Sequence, residues 1–238
     1  MTDGPAHGGG ARAFTQHFPT THATWVHESR SDDDAVLARL AQRVIERYAR
    51  PLEAYAQGST LREIAEPREL VHGFLVAKFA SAAATRAYLA AWNGSGLTLR
   101  RWMMNGLLLF ARGVVRDRQR SRERPLDGGE RRLASDEPGP GDLFERAWAQ
   151  AILGEACAQV EGTLVAEGRE RAWQVFRRHS IDGRPYGDLE TEFGLSRQQM
   201  ADLVRGVTAK LRTRVRELLD EEGLPGDEGV DEIVRLLT

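Results

Sequence analysis

The sequence predicts an all-α chain: two helical domains joined by a flexible linker, the C-terminal one containing a helix-turn-helix. Three observations carry that expectation. Apolar residues recur at helical spacing through several long stretches. No convincing strand-period segment or internal repeat breaks the pattern. One segment rich in Pro, Gly and charge, PLDGGERRLASDEPGPGD, separates two such helical regions.

Taken in order, the opening MTDGPAHGGGARAFTQHFP lacks a basic run followed by an apolar one and does not resemble a secretory signal. Residues 1–34 are therefore expected to form a flexible arm. The carboxylates of SDDD suit a helix N-terminus, and Val36, Leu37, Leu40, Val44, Ile45, Tyr48, Leu52 and Tyr55 then mark a long amphipathic helix over 35–57, with a bend expected at Pro51. Pro67 fits the first turn of a second helix, whose apolar face is Leu70, Val71, Phe74, Leu75 and Phe79. Gly73 within it costs about 1 kcal/mol relative to Ala, which points to close packing or a local weakness. After the loop WNGSG, Thr98 can cap a third helix carrying Leu99, Trp102, Met103, Leu107, Phe110 and Val114 inward. These three helices make the first domain, 35–124.

Arg112, Arg116, Arg118, Arg120, Arg122 and Arg124 crowd the end of that domain, and the linker follows at 125–141. A second domain, 142–222, opens at Asp142 with Leu143, Phe144, Ala147, Trp148, Ile152, Val160 and Leu164 on one helical face, and Trp173 and Phe176 continue into another helix. A tail at 223–238 holds a short helix in VDEIVRLL.

The chain has 238 residues, 41% hydrophobic and 29% charged, enough for a folded cytoplasmic protein of two compact units. A formal net charge of −2 excludes a uniformly basic nucleic-acid coat, so any DNA contact must come from local patches. Cys157, the single cysteine, has no intrachain partner and reads as a buried thiol among small residues. The apolar run WMMNGLLLFA is too short to cross a bilayer. There is no glycine-rich phosphate loop, nucleophile elbow or convincing carboxylate pair, so neither an enzyme nor a cofactor is expected. His72 has no second His or Cys at ligand spacing, and no metal site is expected.

The stretch YGDLETEFGLSRQQMADLVRG (186–206) has the grammar of a helix-turn-helix. Tyr186, Leu189 and Phe193 share a face, Gly194 can end the first helix in the left-handed conformation, and Ser196 can cap the second. Met200, Leu203, Val204 and Val207 turn inward, leaving Arg197, Gln198, Gln199 and Arg205 outside. Such side chains can pair with base edges in the major groove, while Lys210, Arg212, Arg214 and Arg216 meet phosphates. An ordinary α-hairpin with a solvated outer face fits the same pattern. Glu190 stands where a hairpin that reads DNA usually carries a small residue.

Four blocks extend the pattern along the chain: HFPTTHATWV (17–26), YARPLEAY (48–55), LFERAWAQAIL (143–153) and YGDLETEFGLS (186–196), the last followed by a basic helix running to VRELL. In this order and spacing the chain resembles the extracytoplasmic-function group of sigma-70-like RNA polymerase sigma factors, in a subgroup with an N-terminal FPTT arm. The resemblance implies that 35–124 is similar to the domain that grips the clamp of the polymerase beta-prime subunit and opens the minus-ten element. It implies that 142–222 is similar to the domain that reads the minus-thirty-five element. Promoter DNA and RNA polymerase core are then the partners, with an inhibitory anti-sigma factor as a further one. Under the resemblance Arg112, Arg116, Arg118 and Arg120 contact phosphates of the separating duplex, and Trp102, Arg100, Arg101 and Asn105 lie near captured single-stranded bases. Glu69, Leu70 and His72 fall on the helix that binds polymerase, where His72 and Gly73 replace the family's usual Gln-Glu pair.

Overall fold

The computed structural model describes residues 22–121, 138–224, 229–231 and 233. The FPTT segment and the rest of the arm at 1–21, the linker over 125–137, Arg122, Arg124 and part of the tail lie outside the described residues. Among the described residues the chain is all helical and contains no strand. The order is α1 (His22–Ser29), α2 (Asp34–Gly58), a 3-10 turn (Thr60–Glu63), α3 (Pro67–Phe79), α4 (Ala82–Asn93), α5 (Leu99–Ser121), α6 (Pro140–Ala166), α7 (Glu170–Phe176), a π-helical turn (Arg177–Ile181), α8 (Tyr186–Phe193) and α9 (Arg197–Glu221).

Local chemistry sets most of these boundaries. Asp33 accepts from the Ala35 N–H at 2.8 Å to start α2. Pro67 sits in the first turn of α3 with Glu66 as its cap, and the Arg101 N–H reaches Thr98 Oγ1 at 3.4 Å to start α5. Asp142 accepts from the Gly139 N–H at 3.0 Å, so α6 begins at Pro140, inside the segment expected as linker. Helix α2 runs on through the buried Pro51.

Two elements depart from the sequence expectation. The arm expected over 1–34 contains α1, which is packed: Trp25 is 1% exposed and its indole N–H donates to Glu221 at 3.3 Å. The stretch between Phe79 and the loop WNGSG, to which the sequence pattern assigns no element, holds a further helix, α4, capped by Ser81 and running on to Asn93, with Leu89 and Trp92 buried. Its run of alanines favours helix strongly but offers few large side chains, so hydrophobic period alone does not reveal it.

Helix α2 is the spine. It packs against α3, α4, α5 and, most extensively, α6. The buried side chains of both helical regions therefore form a continuous core, in which Tyr48, Leu52, Phe74, Met103, Phe144, Trp148, Ile152 and Leu218 all take part. A smaller cluster of Val175, Leu189 and Met200 lies apart from it, under α8 and the start of α9. Cys157 is half-buried, and burial, with Glu161 nearby, pushes its thiol up.

A charged cluster borders the main core, with Arg47 and Glu222 buried and Glu155 and Glu221 partly exposed. Arg47 is 2% exposed; its Nε and Nη2 grip the Glu155 carboxylate at 2.9–3.0 Å, Nη1 reaches Glu222 at 2.9 Å, and Nη2 reaches Glu221 at 3.2 Å. The Tyr48 hydroxyl donates to the other Glu222 oxygen at 2.5 Å, and the guanidinium lies 4.8 Å from the Trp25 ring centroid. Burial opposes the charge on Arg47, yet Glu222, Glu155 and Glu221 outweigh it and hold the guanidinium more firmly protonated than in water. Burial and then the Glu222 carboxylate push the Tyr48 phenol far above its usual range, so it remains a donor. A second pair repeats the theme: Arg100 reaches Glu145 at 2.5 Å and lies 4.2 Å over the Trp148 ring.

Two glycines of α5 should respond oppositely to alanine. A Cβ on Gly106 would stand 2.2 Å from the Tyr88 hydroxyl and 3.0 Å from Phe74, whereas one on Gly113 meets nothing within 4 Å. Gly106→Ala should lower stability by about 1–3 kcal/mol through overpacking. Gly113→Ala should raise it by about 0.5–1 kcal/mol through helix propensity. Thermal melts followed by circular dichroism check both signs.

Candidate nucleic-acid interface

The surface around α8 and α9 is built from its turns outward. Pro185 leads into α8, and Tyr186 stacks on His179 with ring centroids 3.8 Å apart. Gly194 ends α8 at φ 59°, a left-handed value that favours glycine, and its N–H donates to the Glu190 carbonyl at 2.9 Å. Ser196 then starts α9 with a reciprocal cap: the Gln199 N–H donates to Ser196 Oγ at 3.3 Å, and the Ser196 N–H donates to Gln199 Oε1 at 2.9 Å. Arg171 adds a hydrogen bond to the Phe193 carbonyl, tying α7 to the end of α8. Beneath the turn Leu189, Val175 and Met200 are buried, with Tyr186, Phe193, Leu195, Leu203 and Val204 packed around them. Glu190 is exposed, so its side chain does not wedge α8 away from α9.

This leaves the opening of α9 solvent-facing. Arg197, Gln198, Gln199 and Arg205 are all exposed. Asp202 sits among them, accepting from Gln198 at 3.2 Å and pairing with Arg205 at 3.1 Å. Gln199 has committed its side-chain oxygen to the cap. Further along, Lys210 pairs with Glu167 at 3.2 Å, a hydrogen bond that draws the Glu167 carboxyl below its usual range. Arg212 is exposed, and Arg214 turns to Glu217 at 2.6 Å.

On α5, Arg101, Arg112, Arg116, Arg118 and Arg120 are exposed. Arg118 donates to the Ile64 carbonyl, and Arg120 lies 4.0 Å from Asp117. Trp102 and Asn105 are half-buried; the Trp102 ring lies 5.6 Å from Tyr88, and its indole N–H is enclosed without a hydrogen-bond partner. Arg100 differs from its neighbours. Its guanidinium turns into the core toward Glu145 and Trp148 rather than toward solvent.

The α3 residues also divide. Glu69 and His72 are exposed beside a shallow groove that Ile45, Ala49, Glu53 and Arg68 help line, whereas Leu70 is 3% exposed and belongs to the core. Gly73 lets Phe110 of α5 approach, since a Cβ there would lie 3.3 Å from its ring. Among the described residues no group of acidic, His or Cys side chains is placed to hold a metal, and no helix is long and apolar enough to cross a membrane.

Arg47 and its acidic partners escaped the sequence reading. The available signal was register: Arg47 lies three residues after Val44 and four before Pro51, on the buried stripe of α2.

Removing the cap at the turn should be measurable. Ser196→Ala should cost about 1 kcal/mol by loss of the side-chain acceptor, and Gly194→Ala should also destabilise because φ 59° disfavours a Cβ; chemical denaturation of the full chain checks both. No family model, curated protein or solved structure matches this chain.

Proposed function

We propose that this chain is a sigma factor of the extracytoplasmic-function type: a non-catalytic subunit that binds RNA polymerase core, recognises two promoter elements and nucleates strand opening. The observation that carries the reading is the capped turn between α8 and α9, which presents Arg197 and Gln198 at the exposed start of a long helix above its own small core.

In this reading α8, the turn and α9 form a helix-turn-helix and α9 enters the major groove. Arg197 and Gln198 address base edges, where Arg matches guanine O6 and N7 and Gln matches adenine N6 and N7. Arg205 exchanges Asp202 for a phosphate or base acceptor, and Lys210 and Arg212 track the backbone. The exposed arginines along α5 supply sequence-independent, salt-sensitive contacts to the separating strands. Trp102 and Asn105 stand close to that strand path, with Trp102 held by Tyr88. Glu69 and His72 offer polar contacts to the polymerase clamp. The polymerase performs the chemistry, and this chain supplies recognition and capture of melted DNA.

Purified chain mixed with bacterial core polymerase should co-elute on a sizing column at moderate salt, and the complex should retard promoter DNA. Charge reversal at Arg197 and Arg205 should abolish promoter retention while leaving co-elution intact, each lost base contact being worth about 1–3 kcal/mol. Substitution of Glu69 and His72 should instead weaken co-elution. Failure to bind cognate core, with a known sigma factor binding in parallel, overturns the proposal; retained DNA binding in that case marks a DNA-binding regulator, and its loss a helical interaction adaptor.

A further inference from the structure

A cleft of about 720 Å³ opens where the end of α1 meets the first turns of α2, and none of the residues lining it belongs to the DNA or polymerase contacts proposed above. Helix α1 stops in a hydrogen-bonded turn, the Arg30 N–H donating to the His27 carbonyl at 3.1 Å and the Ser31 N–H to the Glu28 carbonyl at 3.0 Å. That turn sets His27, Glu28 and Arg30 along one wall. On the other wall Val36, Arg39 and Arg43 of α2 follow one another at helical spacing and share a face.

The lining is cationic in a chain whose formal net charge is −2. The guanidiniums of Arg30, Arg39 and Arg43 and the His27 ring meet a single lining carboxylate, Glu28, which Arg43 Nη2 already engages. The acids just outside are committed elsewhere: Asp33 caps α2, and Asp32 and Asp34 lie 3.9 and 4.0 Å from Arg86. Arg30 and Arg39 are exposed, and their side chains engage no partner among the described residues. Arg43 Nε is enclosed without an acceptor. Arg47 and Arg100 show the contrast, since each is matched by carboxylates and serves the packing.

Guanidiniums gathered on two walls of a concavity repel one another and focus a positive potential between them. A single carboxylate offers two oxygens, enough for one forked guanidinium; three forks call for several acceptor oxygens at once, as a di- or triphosphate supplies. We infer that this cleft binds a phosphorylated small molecule of nucleotide size, its polyphosphate end held between Arg30 of α1 and Arg39 and Arg43 of α2. The volume falls in the range of small-ligand sites, about 300–1,000 Å³. Val36 and the aliphatic stems of the arginines offer an apolar seat for the organic part. Ser31 Oγ accepts from the Asp33 N–H at 3.1 Å, which leaves its hydroxyl free to donate.

Isothermal titration calorimetry of the full chain at low salt, with pyrophosphate, ATP and adenosine as probes, tests this. Pyrophosphate and ATP should bind saturably at one site, and adenosine should not bind. Arg30→Gln and Arg39→Gln should each weaken binding by about tenfold. E28Q, which removes the lining carboxylate, should strengthen it. The double variant R50Q/R169Q removes two exposed guanidiniums outside the cleft and should leave affinity unchanged. Matching thermal melts of the variants show that the fold persists. Absence of saturable binding by both anions overturns the site, as does an equal loss in R50Q/R169Q and R30Q/R39Q, which marks non-specific attraction. Silence toward pyrophosphate and ATP, with retention of duplex DNA that depends on Arg30 and Arg39, overturns the small-molecule site in favour of a nucleic-acid contact. Co-elution with core polymerase is a separate measurement, so the sigma-factor reading stands or falls independently of these outcomes.

Discussion

One buried guanidinium organises the molecule. Arg47 sits where α1, α2, α6 and the end of α9 converge, and its charge is tolerable there only because Glu155, Glu221 and Glu222 surround it. Taking a charge out of water carries a penalty of several kcal/mol that is recovered only with good geometry and satisfied hydrogen bonds. Those conditions hold here: the Glu155 grip is bidentate, Glu222 is shared with Tyr48, and Trp25 covers the cluster. The register of α6 on α2 and the place where α9 ends follow from that demand. Buried pairs of this kind are weak sources of net stability, but a slipped register would strand the Arg47 charge.

The region around α8 and α9 obeys a different constraint. Its own cluster of Val175, Leu189 and Met200 is small, and the turn is held by backbone chemistry: a left-handed glycine, a reciprocal Ser196–Gln199 cap and the Arg171 bond to the end of α8. Rigidity at the turn matters for the proposed function, in which side chains that read base edges must arrive with fixed position. The exposed face they occupy is also internally compensated, with Asp202 and Glu167 neutralising Arg205 and Lys210. Under the proposed function, exchange of such an internal carboxylate for a phosphate would be part of recognition.

Much of the secondary structure was legible. The helical period placed the expected helices within α2, α3, α5 and α6, and Pro67, Thr98, Gly194 and Ser196 marked ends that the structure realises. Helix α4 was hidden because an alanine-rich run has propensity without period, and α1 because a single buried Trp25 gives no repeat to read. Among the candidate residues, exposure at Arg197, Gln198 and Arg205 follows from register against Met200, Leu203 and Val204. The burial of Leu70 follows likewise from the apolar face of α3, whereas the inward turn of Arg100 does not, since it depends on Glu145, 45 residues away.

By itself the sequence determined the all-α class, the caps and the solvent-facing start of α9, because hydrogen-bond closure and the helical repeat act over three or four residues. The tertiary structure alone decided that α6 lies along α2, that the helices on either side of the segment at 122–137 share a core, and that Arg47 meets Glu222 across 175 positions. A charged residue on an apolar stripe signals that a partner exists, but its identity depends on the mutual packing of helices far apart in the chain, where burial and Coulomb attraction act together.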